Sequence, residues 1–346
     1  MNSWLRLLRL PHLAAQAGID RDINASIRLN FLYAASKSGL LRQMRHWKER
    51  SELEPQLETL DAMLDVGVAL GELKRQGNRY RISGKRALAL SGQDGDPLAA
   101  LIEEFVTCHA AVYQDFANLS ARAGKGDYLA GKGEVIARSS RLLEPFMVEF
   151  AQGQVAGNGP LTMLEVGCGS GIYLHHAACA NPQATGIGID LQKDVIAETS
   201  KRLVDWGVAS RFRVMYGDIR QARAETTGPF DLITLYNNIY YFPENERVSL
   251  LGSLRERLKP GGKLAMVSLF PGKTVVAANF ELILRSTLGC APMGTVENLV
   301  RQLHESGFRE VNTKRLIPVQ PFYGVTASLL FLCLQTKDTE CSARHC

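Results

Sequence analysis

The sequence has no apolar run long enough to cross a bilayer. Its longest late stretch, Val325 to Leu334, is about half of what a spanning helix needs. It has no cysteine framework either. Cys108, Cys168, Cys179, Cys290, Cys333, Cys341 and Cys346 are odd in number and scattered, and none forms a C-x-x-C pair, so neither disulfide stapling nor a zinc site is indicated. No metal is expected. There is no secretory apolar core at the start, where Trp4 to Arg9 is interrupted by arginines. No repeat or low-complexity tract occurs. The charge excess is mild, at +5, and its densest segment (Arg42, Arg45, Lys48, Arg50) reads as a solvated helix face rather than a nucleic-acid footprint. These absences point to a soluble cytoplasmic protein with neither membrane nor nucleic acid as partner.

What is present is an ordinary globular composition, 46% hydrophobic and 22% charged, over 346 residues, long enough for two domains. The chain changes character between Gly153 and Pro160. Before it the patterns are helical: Ile27 to Met44, Pro55 to Lys74, and Pro97 to Phe150 with breaks at Gly124 to Asp127 and near Gly131 to Gly133. Between the second and third helical stretches, Gln76 to Ser83 reads as a Gly-Asn turn leading into a short alternating strand, so helix, helix and ribbon together form a winged-helix-like pattern. After Pro160, short β-branched runs alternate with amphipathic helices, the signature of a parallel sheet. The expected division is a helical, winged-helix-like dimerisation domain at 1–96, a helical connector and lid at 97–158, a ligand-binding α/β domain at 159–336 and a polar tail at 337–346.

The chemistry gathers in the α/β part. Leu161 to Val166 reads as a buried strand running into Gly167-Cys168-Gly169-Ser170-Gly171, with a helix from Tyr173 to Ala180. Glycines there permit a tight turn and let a ligand approach the backbone without a Cβ in the way. A second strand, Thr185 to Ile189, ends in Asp190 and Leu191, about twenty residues on. An acid at that place can accept hydrogen bonds from both hydroxyls of a ribose. A third strand, Arg211 to Tyr216, ends in Gly217-Asp218-Ile219, where a carboxylate can take an adenine amino group with an apolar neighbour against the ring. A fourth, Asp231 to Tyr236, ends in Asn237-Asn238. A helix from Arg247 to Leu258, a Pro260-Gly261-Gly262 turn and a strand from Lys263 to Leu269 follow. A dinucleotide fingerprint would need a third glycine where Ile172 stands, which disfavours NAD.

These motifs, over about residues 160 to 335, resemble the class I S-adenosylmethionine-dependent methyltransferases. The N-terminal half more loosely resembles the dimerisation domain of small-molecule O-methyltransferases. The resemblance implies a Rossmann-like, seven-stranded α/β sheet with its last strand antiparallel, drawn from Gly307 to Ile317 and Gly324 to Leu334. It implies S-adenosyl-L-methionine as cofactor and a homodimer. It places Glu165, Gly167, Gly169, Gly171, Asp190, Leu191, Asp218, Ile219 and Asn237 around the cofactor, with Tyr128 and Arg138 as lid residues reaching its carboxylate.

A sulfonium is already activated, so placing a nucleophile in line supplies most of the rate. A base is needed only where the acceptor arrives protonated. Many relatives carry a histidine just past the fifth strand; here Phe270 to Val276 holds none, nor does the chain down to His304. His175 and His176 follow the glycine loop as packing or surface residues. His109 is the one candidate to reach the pocket. Asn237, Tyr240 and Tyr241 are the other candidates, amides and aromatic faces able to hold a cation, the latter worth about 0.5–2 kcal/mol. The expected activity is methylation of a small metabolite in specialised metabolism, at an acceptor already anionic or nucleophilic. Cyclisation of the ligand to azetidine-2-carboxylate with release of methylthioadenosine is the alternative. A winged-helix DNA-binding regulator ranks last, because Glu58, Asp61, Asp65 and Glu72 make its recognition segment acidic.

Overall fold

The computed structural model describes residues 10–119, 124–221 and 223–329, the side chains of 10–14 excepted; the expected tail at 337–346 and the end of the Val325 to Leu334 run lie outside them. By its internal contacts the chain divides into two units, Met1–Pro145 with Ser286–Leu288, and Phe146–Arg285 with Gly289–Cys346.

The first unit opens with a helix over Leu10–Lys37. The single helix expected from Ile27 to Met44 is two, because Gly39 (φ 76) turns the chain left-handed before the short helix Leu40–Gln43. The helix expected from Pro55 to Lys74 is also shorter, Leu60–Ala69. Gly71 (φ 72) ends it, and the following residues pair instead as a strand. Strands β1 (Lys48–Glu49), β2 (Leu73–Gln76) and β3 (Arg79–Ile82) form an antiparallel sheet in the order β1-β3-β2, with Gly77-Asn78 as the two-residue turn between β2 and β3. Phe31, Leu32, Leu41, Leu64, Leu73 and Tyr80 belong to one buried cluster that joins these helices and strands. Helices Lys85–Ser91, Asp96–Glu104, Ala110–Leu119 and Gly133–Ser139 complete the unit. A π-turn at Phe105–His109 joins the second and third of them.

The second unit is an α/β sheet, entered through the helix Glu144–Val155. Its strands are β4 (Leu161–Val166), β5 (Ala184–Asp190), β6 (Phe212–Tyr216), β7 (Phe230–Tyr236), β8 (Leu258–Leu269), β9 (Glu310–Ile317) and β10 (Phe322–Ser328). They lie in the order β6-β5-β4-β7-β8-β10-β9. β4 to β8 pair in parallel, and β10 runs antiparallel to both its neighbours, as the resemblance implied. Helices Ile172–Ala180, Lys193–Asp205, Arg247–Glu256, Val275–Ser286 and Val296–Glu305 connect them. Within β8, Lys259 to Gly262 loops out between Leu258, opposite Phe230, and Lys263, opposite Leu232, with Gly261 left-handed (φ 78). Asp231 ties three strands at this end, accepting from Thr162 N (2.7 Å), Thr162 Oγ1 (2.9 Å) and Lys259 Nζ (2.7 Å).

The central strands are near-continuously apolar because both faces are covered: Leu164, Leu232, Ile233, Leu235, Leu264 and Ala265 are fully buried. Strand order reverses between β4 and β7. The chain first grows outward through β5 and β6, then crosses to the other side of β4. Such a reversal leaves a crevice at the carboxyl ends of the strands, where ligands bind in open α/β sheets. Leu164→Ala, at the centre of β4, is expected to cost about 2–5 kcal/mol through lost burial and a residual cavity. A lower urea midpoint by circular dichroism is the readout.

Candidate active site

At the carboxyl end of β4 the chain must turn within a few residues from strand to helix. Gly167 (φ 65), Gly169 (φ 49) and Gly171 (φ 73) make that turn in the left-handed region, which glycine adopts without steric cost. Gly167 N and Cys168 N both donate to Ile189 O (2.8 and 3.1 Å), and Gly169 N donates to Asp190 Oδ2 (3.0 Å). Thr199 Oγ1 donates to Gly169 O at 2.6 Å. The three glycines serve different ends. A Cβ on Gly167 would strike the Asn238 amide, and one on Gly171 the Thr199 methyl, whereas one on Gly169 would meet nothing within 4 Å. Gly167 and Gly171 are needed for packing, and Gly169 leaves the backbone open to a ligand.

Around this turn sit polar groups the protein leaves unsatisfied. Glu165 is 1% exposed and its Oε2 has no hydrogen-bond partner. Burial, and then the nearby Asp190 charge, pushes its carboxyl well above the ordinary range. Its neighbour across the β4–β7 ladder, Thr234, has a buried Oγ1 without a partner, and so does the Oδ1 of Asn238. The Asn238 amide donates to Val166 O, the last carbonyl before the turn. Buried polar atoms left unpaired cost free energy, so three around one turn fit a polar ligand group such as an ammonium.

Asp190, at the end of β5, also accepts from Gln192 N (3.0 Å), which aims its carboxylate along the loop. Leu191 beside it is an exposed apolar side chain. At the end of β6, Asp218 is gripped by Arg220, whose hydrogen bonds hold the carboxyl below the usual carboxylate range. Ile219 is buried, and its carbonyl accepts from Arg257 Nη2 (3.2 Å). At the end of β7, Asn237 is the one described non-glycine residue at positive φ (55), with its N donating to Val267 O (2.8 Å). Its side-chain amide donates to Met147 Sδ (3.4 Å), which also accepts from Tyr173 OH (2.9 Å). Tyr240 is buried against Phe280 (centroids 5.2 Å apart), and Tyr241, 37% exposed, packs on it at 4.7 Å. Arg247 is buried and donates to Phe242 O, Met293 O and Pro292 O (3.0, 3.0 and 2.7 Å), fastening the segment after β7.

Three sequence-derived candidates belong to the first unit and have partners there. Tyr128 OH donates to Asp115 Oδ2 (2.8 Å). Arg138 makes a two-pronged contact with Asp96 (3.0 and 2.6 Å). His109, in the π-turn, has Nε2 3.3 Å from Glu104 Oε1, and its ring lies 4.3 Å from that of Phe105. The sequence reading passed over Met147, Tyr173 and Arg220. Only Arg220 left a local signal, standing two residues after Asp218 at the spacing of an Asx-type turn.

The strand order, the left-handed glycine turn and acids at successive strand ends are those of the class I S-adenosylmethionine-dependent methyltransferase fold, and S-adenosylmethionine is the cofactor of that class. Comparison with known proteins agrees: residues 163–262 match the family described as a methyltransferase domain. A trans-aconitate 2-methyltransferase of Deinococcus radiodurans is 34% identical over 106 residues, 30% of this chain and 36% of that one. The chain spans about a third of the length of such curated relatives. Among solved structures, a mitomycin 7-O-methyltransferase superposes with a TM-score of 0.75 at 15% identity, covering 93% of this chain and 99% of that one. Human N-acetylserotonin methyltransferase, in complex with S-adenosylmethionine, does so at 0.72 and 14%, covering 91% and 97%.

Glu165→Gln tests the buried acid. A carboxyl whose folded pKa is raised holds its proton more tightly in the folded chain, so its contribution to stability is full below the unfolded pKa and lost as pH rises towards the folded one. The ligand-free variant is expected to melt above the parent, by a margin larger at about pH 8 than at about pH 5. A margin independent of pH would count against a buried ionising acid.

Proposed function

We propose that this chain transfers the methyl group of S-adenosylmethionine to a small organic acceptor, at an oxygen, nitrogen or acidic carbon. The observation that carries the reading is the conjunction, at the reversal between β4 and β7, of an open backbone at Gly169 with Asp190 and Asp218 at the next two strand ends. The bound cofactor supplies an electrophilic methyl on a sulfonium. In this reading Asp190 accepts from the ribose hydroxyls beside Leu191, Asp218 from the adenine amine beside Ile219, and Glu165 from the ammonium. Asn237, Tyr240 and Tyr241 border the reacting end. Asn237 orients through its amide, and the tyrosine faces attract the cation. Within the first unit Arg138 would bind a carboxylate only by sharing or releasing Asp96, and Tyr128 is held by Asp115.

His109 has Glu104 beside it in the first unit, an arrangement that would stabilise an imidazolium. With no histidine between the end of β8 and His304, acceptors already anionic or nucleophilic are favoured, and a relative named for trans-aconitate is a parallel. A structural neighbour named as a mitomycin 7-O-methyltransferase supports oxygen as the atom modified, and a place in specialised metabolism is part of the proposal. A cytoplasmic homodimer is part of the proposal. Ile19, Ile23 and Ile27 repeat every fourth residue, exposed, along the helix Leu10–Lys37, an apolar stripe a second copy would cover. Among the described residues no helix is long and apolar enough to cross a membrane.

Asp190→Ala is expected to weaken S-adenosylmethionine binding about ten-fold or more, two hydrogen bonds to a charged group being lost. With a panel of carboxylate, phenol and amine acceptors, the protein should form S-adenosylhomocysteine. Incubated with S-adenosylmethionine alone, it should release no methylthioadenosine. Release without an acceptor would replace methyl transfer by cyclisation.

A further inference from the structure

Asp218 has little capacity left for the purine that the proposed function assigns to it. A carboxylate offers about four lone-pair sites. Arg220 addresses both oxygens: its backbone N donates to Oδ1 (2.9 Å), its Nε lies 3.0 Å from each oxygen, and its Nη2 donates to Oδ2 (2.7 Å). The same guanidinium reaches a second acid, with Nη1 3.3 Å from Glu246 Oε2, and its carbon lies 5.8 Å from the centre of the Phe242 ring. Arg220 is 44% exposed at the side chain, whereas Asp218 is 16% exposed.

A guanidinium is a better donor to a carboxylate than a neutral exocyclic amine, so the amine must displace at least one of its hydrogen bonds. The exposed side of the pair is wet and screened, which makes the contact weak enough to exchange. Glu246 and the Phe242 face give the cation somewhere to go, so leaving Asp218 does not strand it. The backbone hydrogen bond from Arg220 N is independent of the side chain and keeps the carboxylate aimed when the guanidinium leaves.

We propose that Arg220 is a specificity-determining latch at the nucleobase end of the crevice, capping Asp218 and transferring to Glu246 when a purine bearing an exocyclic amine takes its place. This rests on the reading that Asp218 receives the adenine. The latch lowers apparent affinity by the fraction of molecules in which Asp218 is free. It also biases the choice of base, since only a base with an N–H donor on that edge competes for the acid it covers.

The test titrates the full chain calorimetrically with S-adenosylhomocysteine and with its 6-deamino analogue, whose purine carries hydrogen in place of the amine. R220Q, which cannot span the carboxylate as a cation, is expected to bind S-adenosylhomocysteine about five- to ten-fold more tightly than the parent, as for a competent fraction of roughly one in five to one in ten. Its affinity for the 6-deamino compound should not rise. D218N should lose affinity for the adenosyl compound. Unchanged or weaker S-adenosylhomocysteine binding by R220Q overturns the latch. Equal tightening for both compounds overturns it too, by showing steric obstruction rather than donor exchange. Unchanged binding by D218N overturns the adenine placement itself, a failure distinct from that of Arg220.

Discussion

Ile189 O accepts hydrogen bonds from Gly167 N and Cys168 N, and the Asp190 carboxylate one residue later accepts from Gly169 N. Three successive amides of the turn are thereby bound to the end of the neighbouring strand. A tight turn between a buried strand and a helix would otherwise leave those donors unpaired, at a cost of about 1–3 kcal/mol each. The rest of the crevice is arranged around this attachment. It sets where Gly169 lies open and fixes the orientation of Asp190. It also brings Cys168 against Gly188, where any side chain on β5 would collide with it.

The same region carries much of the strain and unpaired polarity among the described residues. Glu165, Thr234 and Asn238 each bury an oxygen without a partner, and Asn237 holds a left-handed backbone without being glycine. Such features cost stability and persist where the surrounding structure over-determines them. Here the surroundings are stiff: fully buried Leu164 and Leu235 on the adjoining strands, the Asn238 amide on Val166 O, and Arg247 fastening the segment after Tyr241 by three carbonyls. A buried arginine bonded to carbonyls rather than to an acid keeps the charge in place while its desolvation is offset by three hydrogen bonds. Stability is given up in the crevice and held in the sheet beside it.

Legibility followed the range of the physics involved. Strands β4 to β7 could be read to within a residue, since a doubly covered parallel strand is apolar along its whole length and flanking glycines mark where it stops; β8 starts at Leu258, five residues before the expected Lys263, because the Pro260-Gly261-Gly262 turn is a bulge within the strand. The antiparallel β10 came from resemblance rather than pattern. The stretch from Pro55 to Lys74 misled because its apolar spacing is helical throughout, yet Gly71 stops the helix and Leu73–Gln76 finds a partner in β3, a pairing that hydrophobic period cannot announce. In the crevice, the residues that could be named beforehand are those attached to strand ends. Met147 and Tyr173 escaped notice: a thioether shared by a tyrosine and an asparagine 90 residues away leaves no trace in either local segment.

The sequence by itself determined the alternation of strands and helices after Pro160, the glycine turn and the acids that follow the next two strands. Those depend on side-chain period, on backbone conformations open only to glycine, and on spacing along one chain. Tertiary structure alone decided which of those groups are engaged and by whom. Arg138 meets an aspartate 42 residues away, Asn238 a carbonyl 72 residues away, and Arg247 two carbonyls more than 40 residues on. A hydrogen bond depends on distance and direction in space, and those exist only once the strands have taken their order in the sheet.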